Sequence, residues 1–381
     1  AGPPTVIDVL IVGGGPAGLT LAILLTRAGL TVRVVEARDT PQEHSRAIGL
    51  HPPAVDVLHA AGIAKEAIAS GVPIRRGLGL SSGRRIAALD FDVLTGRHPF
   101  ILSLPQATTT ALLTARLREL DPQALLVGHA LTTFRQDDRG IHATMTGRPA
   151  PITARYLVGA DGVGSTVRPL AGLPFAGSLY PDHYVMGDYP DTTGFGATAA
   201  LLLHPEGIVE SFPLPGGLRR WVAWHRPADA TTLPSLIERR TGYRVDPDAA
   251  TMHSRFRCSH RAVAQMVHGR VILIGDAAHE ISPIGGQGMA LGLLDAAALA
   301  PLLTRAGTKG STPADLLAGF SRDRLRAAAR AGRQAHLNMA LGRPLPRVLD
   351  QVRAAAITAV ARSKPLTDVV AHRFTMSRGF R

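Results

Sequence analysis

One cysteine, Cys258, stands in a chain of 381 residues. An internal disulfide needs two and a cysteine-held metal cluster needs more, so both are excluded. Lysine is almost as scarce: Lys65, Lys309 and Lys364 are the whole set. The formal charge of +13 therefore rests on arginines spread along the chain. Aromatic residues make up only 4%, and nowhere do they alternate with basic residues as a base-stacking platform would require. Nucleic acid is set aside as a partner, and the charge is read as compositional, with a mild attraction for anionic ligands. No apolar run reaches membrane-spanning length, so no membrane partner is expected. No signal-peptide pattern precedes the first strand, and a cytoplasmic, reducing location is expected.

What is present is an ordinary globular composition, 45% hydrophobic and 19% charged, on a chain long enough for one or two domains. Its organising stretch is Ile7 to Glu36. Val9 to Val12 is a short apolar run suited to a buried parallel strand. Gly13, Gly15 and Gly18 complete a G-x-G-x-x-G pattern, a helix is predicted over Leu19 to Ala28 with Gly29 as its cap, and a second strand over Thr31 to Val35. One glycine makes the tight turn, one admits a pyrophosphate close to the backbone, and one lets the helix pack on the strand. The helix start offers N–H groups and a partial positive charge to phosphates. Glu36 falls where a carboxylate would accept hydrogen bonds from an adenosine ribose, and it suits an unmodified ribose better than a 2′-phosphate. FAD or NAD is favoured over NADP as the tightly held ligand.

Further along, a helix is predicted over His51 to Ala69, then a hairpin of Gly77–Leu80 and Arg85–Phe91 around Gly83. A strand over Phe100–Leu104, a helix over Gln106–Leu120, a strand over Leu125–Val127 and a hairpin of Leu131–Arg135 with Ile141–Thr146 follow. Tyr156–Ala160 is another buried strand, leading to Asp161-Gly162. The block from Tyr180 to Val263 reads as a mixed sheet with short strands at Tyr184–Met186, Ala199–Leu203, Ile208–Phe212 and Arg220–Trp224, and one helix at Leu233–Thr241. Val271–Ile274 is again a strand and ends at Gly275-Asp276. A long apolar helix then runs to about Leu303, and the rest is helical, interrupted at Pro344, Pro346 and Pro365.

Three segments share one form, a buried strand followed by glycine and an acid: Gly13 to Gly18 with Glu36, Asp161-Gly162, and Gly275-Asp276. Parallel strand ends converge on one edge, so a single dinucleotide could touch all three. With Ser45-Arg46-Ala47, Gln106, Gly159 to Gly162 with Arg168, and the run G-D-A-A-H-E-I-S-P-I-G-G-Q-G-M from Gly275 to Met289, the chain resembles the class A flavoprotein monooxygenases. This is the family of para-hydroxybenzoate hydroxylase and the aromatic polyketide hydroxylases. The likeness covers roughly the first 300 residues, with its motifs in the family's order. It departs at Ala290, where the family has Asn, at Ser282-Pro283, where two prolines are common, and at Thr108 to Thr110, where an acid often stands. Many polyketide hydroxylases also carry a thioredoxin-like domain, for which the stretch after Leu303 is too short and too helical.

The resemblance implies an α/β fold. A Rossmann-like FAD-binding domain (residues 1–73, 103–177 and 266–330) would be interrupted by a mixed-sheet substrate domain (74–102 and 178–265), with a C-terminal helical segment (331–381). It implies that Gly13, Gly15, Pro16, Ala17 and Gly18 hold the FAD, with Glu36 and Ala37 at the adenosine ribose. Arg46 and Gln106 would contact the phosphates and ribityl chain, and Leu131 the adenine through its backbone. Asp161 would serve both flavin and pyridine-nucleotide binding, Gly275 and Asp276 the ribityl or pyrophosphate region, and Pro283, Gly286, Gly288 and Met289 the ring. NADPH or NADH would bind transiently as electron donor, and reduced flavin with O2 would form a C4a-hydroperoxide. One oxygen would then pass to an aromatic or polyketide-type substrate. The pocket must be closed and apolar to protect that intermediate.

No protein nucleophile is needed, and the catalytic residues stay open. His183, Tyr184, His204 and His225 are candidates for activating a phenol. His279 is read as packing the glycine loop. His253 and His260 lack an acidic or cysteine partner at ligand spacing, so no metal is expected. Trp221 and Trp224 are assigned to the core or the substrate pocket. Two readings compete with the hydroxylase: another flavin enzyme on the same fold (a Baeyer–Villiger oxygenase, oxidase or reductase) and a non-enzymatic FAD-binding protein. The oligomeric state is open.

Overall fold

Val9, Leu10 and Ile11 are fully buried, as a strand covered on both faces must be. In the computed structural model, which describes residues 6–40, 47–148, 150–226, 230–309 and 314–377, they lie inside an eight-stranded sheet. Its order runs Val267–His268, Val271–Leu273, Ile152–Gly159, Ile7–Val12, Val32–Glu36, Leu125–Val127. The hairpin of Leu131–Asp137 and Gly140–Met145 hangs from Ile152–Gly159. The inner pairs are parallel, and the register brings Val35, Val12, Gly159 and Leu273 into one row. Every glycine-and-acid segment therefore leaves the sheet along the same edge.

Helix Pro16–Arg27 begins at Gly15 and stops beside Gly29, whose φ of 85° is left-handed. It packs between helices Gln106–Leu120 and Gly288–Lys309. The latter corrects one expectation. Gly288–Ala306 is long and apolar enough to cross a membrane by length and composition. Most of that stretch is buried within the protein, where Leu291, Leu293, Ala296 and Leu299 join the main core. Its helix also continues past Leu303 to Lys309.

A second eight-stranded sheet runs His279–Glu280, Met252–Val263, Phe175–Pro190, Leu218–His225, Val209–Leu214, Ala199–Leu203, Arg76–Ser81, Arg84–Asp90. The last two come from early in the chain and join through a parallel pairing with Ala199–Leu203. One face packs on helix Leu233–Thr241 through Val185, Tyr189, Trp221, Leu236 and Ile237. A small sheet of Gly49–Leu50, Ile101–Ser103 and Val72–Ile74 sits between the large ones, and Ser103 Oγ donates to Pro213 O of the second sheet (2.6 Å).

Other differences have local causes. The helix expected over 51–69 is two, Pro52–Ala61 and Ala64–Ser70, because Gly62 turns left-handed at φ 85°. The brief strand at Tyr184 belongs to the 16-residue Phe175–Pro190, and its partner Met252–Val263 was not anticipated. The late prolines start helices: Pro346 caps Arg347–Ala361, and Pro365 lies in the first turn of Lys364–Phe374.

Trp221 is fully buried under Leu233–Thr241 and is a core residue. Trp221→Ala should cost about 3–5 kcal/mol, read as a lower denaturant midpoint.

Candidate functional site

The row of strand ends borders a cavity of about 1690 Å³, whose other wall is the second sheet. All the cofactor residues named from sequence line it except Gly18 and Arg46. Arg46 lies outside the described residues. Gly18 is buried behind the wall, where a Cβ would strike Gly13 O, so it serves the helix–strand contact. Gly13 has φ 111°, and a Cβ there would strike the Ala160 carbonyl. Gly15 faces open space. The helix that starts there has neither a side-chain cap nor an acidic residue in its first turn. Its first N–H groups, which have no intrahelical acceptor, face the cavity with the positive end of the helix dipole.

Glu36 accepts from Gly14 N–H (2.8 Å), Arg38 N–H (3.0 Å) and Arg38 Nε–H (2.9 Å). Burial pushes its carboxyl up, but the bonds from Arg38 and Gly14 outweigh burial and hold it below the usual range. Ala37, His129 and Leu131 border the same end.

Asp161 Oδ2 accepts from Thr166 N–H (2.7 Å) and Val167 N–H (3.1 Å), which fixes the turn after its strand. Its buried Oδ1 has no protein partner. Arg168 locks this turn to the next segment by donating to Ala277 O (3.0 Å) and Val163 O (2.9 Å). Asp276 is exposed to the cavity. Desolvation by the surrounding protein raises its carboxyl, His279 opposes that, and Glu280 and Asp295 reinforce it.

The Gly275–Asp276 turn hangs on a residue that sequence reasoning missed. Asp295 is fully buried on helix Gly288–Lys309. It accepts from Gly275 N–H (2.9 Å), His279 Nε2 (2.7 Å) and Arg324 Nε–H (2.7 Å). His279 is therefore an anchor for the loop. Burial disfavours its cation, but the Asp295 carboxylate wins and raises its pKa.

At the far end Gly285 and Gly286 take φ of 102° and 67°. His51 meets Gly285 O at 3.1 Å, and burial lowers its pKa to about 4. The ring is neutral, so Nε2 carries the hydrogen and Nδ1, buried and unpartnered, is left as an acceptor. Gln106, Pro283, Gly288 and Met289 complete this part of the wall. The second sheet contributes Met186, Leu201, Phe212 and Val222, and among them Glu210. His183, Tyr184, His204 and His225 do not line the cavity, which corrects them as candidates. Tyr184 is buried within the sheet, and His183 sits across from His225 on adjacent strands. Among the described residues no group of three or more His, Cys, Asp or Glu is placed to hold a metal ion.

Residues 6–335 match the family model described as FAD binding domain. A 12-dehydrotetracycline 5-monooxygenase/anhydrotetracycline 6-monooxygenase of Streptomyces rimosus is 34% identical over 365 residues, covering 89% of this chain and 71% of its own. A dialkyldecalin synthase of Streptomyces rugosporus is 30% identical, covering 89% and 74%. The crystal structure of p-nitrophenol 4-monooxygenase from Pseudomonas putida superposes with a TM-score of 0.89 at 25% identity, over 98% of this chain and 99% of that one.

The raised pKa of His279 has a stability consequence. The folded state favours the imidazolium, so its contribution is complete below the unfolded value of 6.5 and is lost as pH rises through the raised folded value. The melting temperature should therefore fall on going from about pH 6 to about pH 9. His279→Gln should melt lower at the acid end and lose that part of the slope, as measured by thermal scans across the range.

Proposed function

The chain belongs to the FAD-binding-domain family of flavin-dependent monooxygenases, and we propose that it uses FAD and NADPH or NADH to place one atom of O2 on an aromatic or polyketide-type small molecule. The observation that carries this reading is the continuity of the cavity. A phosphate-compatible helix start and a ribose-compatible carboxylate stand at one end, and an apolar sheet face at the other. The fit to FAD is supported by the Gly13 crossing, which no side chain could share, by the open space at Gly15, and by the unpartnered Asp161 Oδ1.

Glu36 and Ala37 would hold the adenosine ribose, Leu131 the adenine, and Gly13, Gly15, Pro16 and Ala17 the pyrophosphate. Gln106, Asp276 and Gly275 would hold the ribityl chain with Arg46, and Asp161 would orient the turn beside it. Pro283, Gly286, Gly288 and Met289 would hold the ring, where the start of Gly288–Lys309 favours negative charge. When bound, FAD would supply activated oxygen for an electron-rich carbon, with the nicotinamide donor as the source of its electrons. Met186, Leu201, Phe212 and Val222 exclude water from that transfer. In this reading 1–73, 103–177 and 266–330 form the cofactor unit, 74–102 and 178–265 the substrate cover, and 331–381 a helical segment.

The likeness to a dialkyldecalin synthase makes ring formation on the same fold the second reading. Labelled O2 with NADPH and a panel of polycyclic phenols separates the two. One labelled oxygen in the product supports the hydroxylase, and NMR distinguishes a phenol from a ring-expanded lactone. An isomerised product formed without NADPH consumption supports ring formation, and peroxide alone across the panel supports an oxidase.

Asp276→Ala should remove one or more bonds to the cofactor of about 1.5–3 kcal/mol each and give paler protein. Equal flavin content in the variant and the wild type would take Asp276 out of the cofactor site.

A further inference from the structure

Strand register sets one row of residues across the second sheet: Ser254, Met186, Val222, Glu210, Leu201, Gly79 and Ala87. All of them line the cavity. Ile208 and Phe212, two positions either side of Glu210, line it too, whereas Val209 and Ser211 between them do not. Glu210 is thus the one ionisable side chain of an apolar row aimed at the ligand space. It is 6% exposed.

We propose that Glu210 is the substrate-recognising base of this pocket, accepting a hydrogen bond from a phenolic O–H of the substrate and taking its proton. The O–H bond of the phenol breaks, the proton forms a new O–H on the Glu210 carboxylate, and the electron pair stays on the phenolate oxygen. The ring carbons ortho and para to that oxygen gain electron density, which is what an electrophilic oxygen donor requires. The inference rests on the monooxygenase reading and narrows its substrates to phenols.

The groups around Glu210 leave it free for that task. Arg220, two positions along the next strand, is held by Asp188 through two bonds of 2.7 Å. Asp182 is engaged by Arg343 (2.7 Å) and by Trp224 Nε1–H (3.2 Å). Ala199–Leu203 carries no titratable side chain. From Met252–Val263 come the buried Cys258 thiol and the Ser259 hydroxyl, which donates to Glu280. His253 and Arg257 also border the cavity, and Arg257 donates to Tyr180 O (2.7 Å). Gln334 and Asn338 of Ala314–Gly342 are bonded to each other (2.9 Å). The Tyr184 hydroxyl is buried without a partner, and its pKa is raised by burial first and then by the Glu210 charge. Burial is the one cause acting on Glu210 itself, and it raises the carboxyl to about 7. A base near the working pH combines availability with proton affinity.

The test uses the FAD-loaded protein and two probes, β-naphthol and its methyl ether, with binding read from the perturbed flavin spectrum. Wild type should prefer the naphthol by about tenfold at about pH 8, where the carboxylate accepts its O–H. The preference should fade below about pH 6, where the protonated acid can donate to either oxygen. Glu210→Gln should keep a preference that no longer varies with pH. Glu210→Met should bind both probes alike at every pH. Flavin content and spectrum verify that each variant is folded. A wild-type preference that is constant with pH, one that survives Glu210→Met, or no binding of the naphthol overturns the proposal. Failure of the monooxygenase reading is distinct: the protein would not retain FAD, or NADPH would leave the flavin oxidised.

Discussion

Everything at the site depends on how closely two backbone segments can approach at the end of the first strand. Gly13 N–H donates to Val35 O (2.8 Å), and Ala160 N–H donates to Val12 O (2.7 Å). Three strands are thereby tied at their carboxyl ends within one residue of each other. A side chain at Gly13 would collide with Ala160, and one at Gly18 would collide with Gly13. Two missing Cβ atoms therefore let the helix start, the Glu36 strand and the Asp161 turn share one rim. A side chain at either glycine forces the facing backbone to shift.

Much of this was legible in the sequence because it is local. The runs that form Ile7–Val12, Gln106–Leu120, Leu125–Val127 and Leu233–Thr241 are bounded by strong turn or cap signals, and their limits match closely. Glycine-and-acid segments announce strand ends, so their convergence could be read before any contact was seen. Met252–Val263 escaped because Arg255 and Arg257 alternate with Phe256 and Cys258. That period of two is the strand signal, but charge masks it when only apolar runs are counted. Asp295 and Glu210 were hidden for another reason. Each is a single acid in an apolar element, and its meaning comes from partners, or their lack, on strands and helices far away in sequence. The histidines beside Tyr184 looked more chemical, yet strand phase turns them away from the cavity.

The two walls of the cavity use opposite electrostatic designs. On the first-sheet side two acids are fully engaged: Glu36 by Gly14 and Arg38, Asp295 by Gly275, His279 and Arg324. Such charges are fixed in place and hold the loops at defined positions. On the second-sheet side Glu210 carries no compensating charge and stays poised between its two protonation states. One wall holds shape, and the other is able to change charge when a ligand arrives.

The strand order also governs how the chain can be made. The first sheet takes its central strands from residues 7–12 and 152–159 and closes with 271–273. The second sheet places 76–90 beside 199–203. A nascent chain therefore holds the hairpin of 76–90 without its neighbour for more than a hundred residues of synthesis. The edge of Ile152–Gly159 waits about as long, until Leu273 emerges. Parallel pairings of this range are slow to close, and the waiting edges are templates for mispairing. Slow translation or chaperone capture before Leu273 should thus decide the yield of folded protein more than any single contact in the finished site.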